Sequence, residues 1–388
     1  MKRILLTAAM ALVLAPQARA ADQLKLGLLA SMSGPLALVG AELRRGLDLA
    51  LAELGGKIGG LPVTLSVADD KAIPAEGVQA ASKLIDDDKI DIVTGMMASN
   101  IFLATAPAFI DAKVTVVGAL AGPAEYAGKA CNPYVFVPTF QNDDWDMVMG
   151  EYMNKHNYKN VYFIGQDFQA GWEHIAGAQR TFKGKAVKPV FTPLAQVDYA
   201  AELAQIREAK PDAVYTFMVG NGGIGFVKQY AQAGLQNVPL LGIDAMSTPL
   251  QWPAFGDATL GVTVGTNWSY TLDNPQNKKF VAAYKAKNNG RPPAIFSALQ
   301  YDAIMLLDGA IKSIGGKIED HDALHAALRK APFQSIRGDF KFNNNQYAID
   351  DIYVEVVEKD ANGQLGLVVK EKAATAWQDY YHKDCAMK

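Results

Sequence analysis

Histidine and cysteine are scarce in this sequence: five and two among 388 residues. No histidine stands beside a plausible serine or cysteine nucleophile, and the patterns G-x-S-x-G, H-E-x-x-H and G-x-x-x-x-G-K-S/T are missing. Triad hydrolysis, zinc peptidase chemistry and P-loop phosphoryl transfer therefore have no foothold. No catalytic residue is assigned, and the expectation is a protein that is not an enzyme and carries no cofactor. Cys131 and Cys385 have no histidines near them, so they make no zinc site. His321 and His325 lie four apart, but the stretch 319–329 around them is charged and reads as a solvated helix face rather than a metal site. Beyond the N-terminus no apolar run approaches the ~18 residues of a membrane span. Lys and Arg are scattered rather than clustered, which argues against nucleic acid or an anionic membrane as partner.

What is present begins with an export signal. Lys2 and Arg3 precede an apolar run at 4–15 broken only by Thr7, and Ala18-Arg19-Ala20 fits the small-x-small pattern of a signal-peptidase site. The run is too short to cross a bilayer, so residues 1–20 read as a signal peptide cleaved after Ala20 and the mature chain as exported, to the periplasm by the family resemblance described below. No cysteine near the cut offers a lipid anchor. Of the 37 basic residues, Lys2, Arg3 and Arg19 leave with the signal, so 34 face 40 acidic ones and the net charge is −6. In an oxidising compartment Cys131 and Cys385 can form one disulfide, tying the C-terminal tail to a mid-chain loop; two buried thiols fit the sequence equally well.

With 50% hydrophobic residues over 388 positions, the chain exceeds what one core organises, and two domains are expected. Short β-branched or apolar runs alternate with amphipathic stretches, the α/β pattern. Strands are expected at 24–29, 63–68, 90–94, 114–117 and 134–138, with helices near 38–55, 74–88, 99–111 and 141–156. A second series needs its own sheet: strands at 161–165, 187–191, 213–217, 239–242 and 262–265, helices near 171–182, 198–209 and 222–233. Helices near 275–288, 297–314 and 321–330 follow, then strand-like runs at 338–342, 352–358 and 365–369, expected to return and complete both sheets. No single linker divides the chain, which fits lobes joined by several crossings at one hinge.

Several segments carry a family resemblance. The first strand leads into Ser31-Met32-Ser33-Gly34-Pro35, with Gly40 at the start of a helix; the second ends in Asp69-Asp70; Gly95-Met96-Met97-Ala98-Ser99 forms a strand-to-helix turn. The segment 166–171, Ala233-Gly234-Leu235 and Tyr301-Asp302-Ala303 follow in order. In this order the sequence resembles the type I periplasmic binding proteins of ABC importers, in particular the leucine/isoleucine/valine-binding branch. The resemblance implies two doubly wound α/β lobes joined by three hinge crossings, 22–140 plus 267–346 and 141–266 plus 347–388. It also implies a small-molecule ligand in the interlobe cleft, hinge closure around it, and delivery by a monomer to ABC permease membrane subunits. Open α/β sheets bind ligands outside the carboxyl ends of their strands, which points to the same cleft.

Ser99 lies between a strand and a helix, where it reads as an N-cap; the free N–H groups and positive end of that helix also suit a carboxylate. By the resemblance, Ala119 and Ala121 offer backbone groups to the ligand, and Val39 and Phe168 line its apolar part. Met218, Val219, Trp172 and Phe296 are further apolar candidates. Relatives that bind amino acids commonly have Ser or Thr at the position of Ala121 and an aromatic residue at that of Val39 or Ala170, and these are lost here. Asp244 matches the acid that takes an amino group, which keeps an amino acid open. The expected ligand is a small carboxylate with an apolar or aromatic body.

Two rivals remain in view. Gly220-Asn221-Gly222-Gly223-Ile224-Gly225 matches the dinucleotide pattern G-x-G-x-x-G, with Asp244 near the distance of a ribose-binding acid, as in an NAD-dependent dehydrogenase. Against it, nothing downstream supplies a hydride-transfer site. A ligand-sensing protein that docks on a receptor is the other.

Overall fold

A computed structural model describes residues 21–186 and 188–387; the signal-peptide reading of 1–20 lies outside them. The first sheet contains β1 (Leu24–Ala30), β2 (Lys57–Ile58), β3 (Leu61–Asp69), β4 (Ile92–Gly95), β5 (Thr115–Gly118) and β6 (Val135–Phe136) in the order β2-β3-β1-β4-β5-β6. All pairs are parallel except the β2–β3 hairpin. β1 reads Leu-Lys-Leu-Gly-Leu-Leu-Ala and is buried along nearly its whole length, as a parallel strand covered on both faces must be. The helices between and after these strands are α1 (Ala37–Glu53), α2 (Pro74–Asp86), α3 (Ser99–Asp111) and the short α4 (Ala124–Ala127). α2 opens with proline in its first turn, where no N–H is needed, and turns Gly77, Ala81 and Leu84 inward.

The second series runs α5 (Asp144–Lys155), β7 (Asn160–Gln166), α6 (Gln169–Thr181), β8 (Lys185–Ala186), β9 (Val190–Thr192), α7 (Ala200–Ala209), β10 (Ala213–Phe217), α8 (Gly220–Gln232), β11 (Leu240–Ile243), α9 (Trp252–Phe255) and β12 (Thr263–Thr266). β7, β10, β11 and β12 lie parallel and adjacent in that order. Of the strand expected at 187–191 only Val190 and Phe191 fall in one, β9, which like β8 just before it pairs with β7; Val187 is outside the described residues.

α10 (Pro275–Lys287), α11 (Ile295–Ser313) and α12 (His321–Lys330) then return to the first sheet. α11 approaches α1 backbone to backbone, since a Cβ on Gly46 would sit 2.1 Å from the Ser297 carbonyl oxygen. β13 (Lys341–Phe342), β14 (Ala348–Lys359) and β15 (Leu365–Trp377) close the chain. These strands do not complete both sheets as expected. β14 pairs antiparallel with β12, β13 and β15, so the hairpin extends the second sheet, and the first receives only a bridge between Val137 and Tyr347.

The chain thus passes between the sheets three times, after β6, after β12 and before β14. Arg337 ties the three passages together. Its Nη1 donates to Asp350 at 2.8 and 2.9 Å and to the Thr139 carbonyl at 2.9 Å, its Nη2 reaches the Pro138 carbonyl, and its Nε meets Asp302 at 3.1 Å. Asn267 adds bonds of 2.7 Å to Thr139 O and Asp350 Oδ2. A fourth tie is covalent: Cys131 and Cys385, 254 residues apart, are disulfide-bonded, which carries the tail after β15 across to the loop before β6.

The stretch around His321 is solvated as expected at Glu319, Asp320, Asp322 and Arg329, but not at His325. His325 is 3% exposed, packed edge-on against Tyr134 at 4.7 Å with its Nε2 3.0 Å from Thr115 Oγ1, because it falls on the inward stripe of α12 with Leu324 and Leu328.

Candidate functional site

Both sheets have strand orders that reverse direction beside their first strand, between β1 and β4 and between β7 and β10. The carboxyl ends at such a reversal diverge and leave a crevice. The two crevices face each other around one cleft of about 530 Å³. That admits a small molecule and no extended chain.

After β1, the turn Ser31–Gly34 is held by the acids ending β3: Asp69 Oδ1 accepts the Met32 N–H at 2.9 Å, and Ser31 Oγ donates to Asp70. It brings Leu36 and Val39 to the wall. After β4, Gly95 takes φ +96°, where a Cβ would meet Leu29 O at 2.4 Å, and the chain turns into α3 at Ser99. Ser99 is not the N-cap expected, because Ala98 holds that place and the Ser99 side chain makes no capping bond. Its Oγ instead accepts from Asn142 Nδ2 at 2.9 Å. Asn142 also donates to Glu173 Oε2 at 2.7 Å and accepts the Gly122 N–H at 3.0 Å, so its amide is fully used. Glu173 is held further by Gln169 Nε2 at 2.6 Å, and burial pushes its carboxyl up. The Ser99 hydroxyl hydrogen stays free for a ligand, beside the first N–H groups of α3, which have no intrahelical partner.

The second sheet contributes Phe168 and Ala170 after β7, Phe217 and Val219 around the end of β10, and Ile243, Asp244 and Ala245 after β11. Phe296 comes from α11. Burial first and the neighbouring Glu355 second push the Asp244 carboxyl well above the carboxylate range; Thr266 Oγ1 donates to it at 3.4 Å.

Of the eleven residues singled out in the sequence, eight, Val39, Ser99, Ala121, Phe168, Ala170, Val219, Asp244 and Phe296, therefore meet at one cavity. Ala119 does not line it, and its N–H is taken by Gly95 O at 2.9 Å. The Ala121 N–H is likewise committed to Met96 O at 3.2 Å, so of the backbone groups expected to meet the ligand these two N–H groups are already bonded. Met218 packs in the core of the second sheet, and Trp172 is 45% exposed with its indole N–H on Asp167.

Sequence reasoning missed Asn142, Phe140, Trp145 and His174. Phe140 and Trp145 pack at 4.1 Å, and the Trp145 Nε1 is buried without a partner. His174 stacks on Phe217 at 4.1 Å with Nδ1 2.5 Å from Asp146 Oδ2, and Asp146 also accepts from Tyr215 at 2.6 Å. The pairing fixes the ring and leaves Nε2 as its open edge. No Lys or Arg is among the lining residues.

The glycine-rich segment at 220–225 is explained by packing. A Cβ on Gly220, at φ +61°, would lie 2.4 Å from Pro35 O across the cleft; on Gly222, 2.5 Å from Gln166 Nε2; on Gly223, 2.8 Å from Met218 O; and on Gly225, 2.9 Å from Val197 O. Close contacts with neighbouring protein atoms thus account for glycine at these four positions. Among the described residues no group of three or more His, Cys, Asp or Glu is arranged to hold a metal ion.

A family model described as periplasmic binding protein matches residues 23–363. The chain belongs to the periplasmic binding protein family. This periplasmic binding protein is similar to Leu/Ile/Val-binding protein homolog 6 of Brucella melitensis, at 27% identity over 376 residues covering 94% of this chain and 95% of the relative. A solute binding protein of an ABC transporter from R. palustris, solved in complex with benzoate, is 30% identical with a TM-score of 0.89, covering 94% of this chain and 100% of that one. Another, from Rhodopseudomonas palustris BisB5 in complex with 3,4-dihydroxybenzoic acid, is 30% identical with a TM-score of 0.84 over 92% and 99%. The fold is that of the type I periplasmic binding proteins, in the branch that holds the Leu/Ile/Val-binding proteins, and the chain is a substrate-binding protein of the ABC-transporter kind.

Proposed function

We propose that this protein serves an ABC importer by capturing a small carboxylate with an aromatic or apolar body between its two lobes. The observation that carries the reading is the pairing of a free Ser99 hydroxyl at the start of α3 with walls of Phe140, Trp145, Phe168, Phe217 and Phe296 and no lining cation. A helix N-terminus plus a hydroxyl suffices for a carboxylate, whose charge it meets with oriented N–H groups. A ring that loses roughly 150 Å² of apolar surface gains about 4 kcal/mol at ~25 cal/mol per Å². The similar proteins solved with benzoate and dihydroxybenzoate support this ligand class.

In this reading the lobes are 22–140 with 267–346 and 141–266 with 347–388. The monomer is exported with cleavage after Ala20, and the closed form is what the permease subunits engage. An amino-acid ligand is the second reading, favoured by Asp244 at the cavity wall and by the Leu/Ile/Val-binding relative. A thermal-shift screen of the ligand-free protein against aromatic acids, aliphatic acids and amino acids separates the two, since a ligand at 100 times its Kd stabilises by about 2.7 kcal/mol. Stabilisation by leucine or isoleucine without response to benzoates would overturn the first reading.

A further inference from the structure

Behind Asp244 lies a second, smaller chamber walled by Asp244, Ser247, Thr248, Trp268, Ser269 and Glu355. It has room for about one water molecule. Glu355 is 1% exposed, and its Oε2 and the Thr248 Oγ1 have no hydrogen-bond partner. Asp244, 5% exposed, faces this chamber on one side and the ligand cavity on the other. The titratable groups around the pair are Tyr270, which lies beside Glu355, and His174 on the cavity wall, backed by Asp146 and Tyr215. No Lys or Arg lines either space.

Two buried acids without a cation are costly, and an anionic ligand placed beside them makes ionisation costlier still. We propose that Asp244 is protonated in the ligand-bound state and donates a hydrogen bond into the cavity, with Glu355 as the positioning acid that keeps it so, and that capture of a carboxylate takes up one proton from solvent. This rests on the carboxylate reading above. Opening the lobes returns Asp244 to water, where a carboxyl ionises near pH 4, and the proton leaves with the ligand. A protonated acid suits a ring hydroxyl or carbonyl oxygen. An ammonium group demands an ionised Asp244, which the open form already holds above pH 6, so such a ligand binds without proton uptake and the proton count reads the ligand class.

The test is titration calorimetry of the full mature protein with benzoate, in buffers of different ionisation enthalpy, from pH 6 to 8.5. The expected result is net proton uptake and a Kd that rises with pH, approaching tenfold per unit. Asp244→Asn should give a flat profile, and Glu355→Gln should move the point where the wild-type profile levels off to lower pH. Benzoate binding without proton uptake, a slope that survives in Asp244→Asn, or a slope lost only in His174→Gln would each overturn the proposal. The wild-type measurement stands even where a variant folds poorly. If benzoate fails to bind and leucine binds, the carboxylate reading falls; leucine binding without proton uptake then overturns this proposal too, while uptake with leucine sustains it.

Discussion

Asn142 holds Ser99 by a single 2.9 Å bond to Oγ while its other amide hydrogen is spent on Glu173, so the hydroxyl hydrogen of Ser99 has no protein acceptor. Charge on Glu173 polarises the amide and, through it, the hydroxyl, a short cooperative chain that ends at the cavity. Ser99→Ala is expected to weaken benzoate binding by about 1–3 kcal/mol with little change in the circular-dichroism melt. Unchanged affinity by calorimetry would remove Ser99 from the ligand's contacts.

Trp145 is one of five tryptophans and lines the cavity with its indole nitrogen unpartnered. Ligand entry should therefore change the intrinsic emission, and Trp145→Phe should abolish most of that change while raising Kd. Emission that responds equally in the variant would place the reporting tryptophan elsewhere.

These two residues show what the sequence discloses. Ser99 is legible because a strand, a glycine turn and an apolar helix bracket it within a dozen positions. Trp145 and Asn142 are not, because Gln141-Asn142-Asp143-Asp144-Trp145-Asp146 looks like the polar start of a surface helix. All six are buried, since the distant tail covers them: Trp377 Nε1 donates to Asp144 at 3.0 Å and Tyr381 to Asp143 at 2.9 Å. Ala119 carries no side chain that could have told its committed N–H from a free one. The fold shows in the alternation of strands and helices, whereas the destination of β13–β15 depends on pairing with β12, which no local pattern encodes.

Arg337 is 8% exposed and pairs with both Asp302 and Asp350 where the three passages meet. Arg337→Leu strands two buried carboxylates and should cost about 3–5 kcal/mol, measured by denaturant unfolding. A loss below about 1 kcal/mol, within the range of an exposed ion pair, would mean that water reaches the acids.

Burial first, then the nearby His321 and Arg329, hold the His325 imidazole down to about 4. The unfolded chain binds this proton at about pH 6.5 and the folded one does not, so stability is present above that value and is lost as pH falls toward 4. The melting temperature should drop between pH 6.5 and 4.5, and His325→Gln should lessen that drop. An acid sensitivity identical in the variant would assign it to other groups.

The disulfide closes a span of 254 residues, for which chain entropy gives a ceiling of about 5 kcal/mol. Cys385→Ser, or a reductant added to the wild type, should lower the melting temperature to the same new value. A variant that melts like the oxidised protein would make the bond dispensable.

Because Cys131 and Cys385 are bonded, all three passages between the sheets lie inside one covalent ring. A protease that cuts a single exposed loop within that ring releases no fragment, and the severed lobes stay tethered to each other. Such a nick would go unseen on a gel until a thiol is added, so the bond gives an exported protein tolerance to cleavage that its packing alone does not provide.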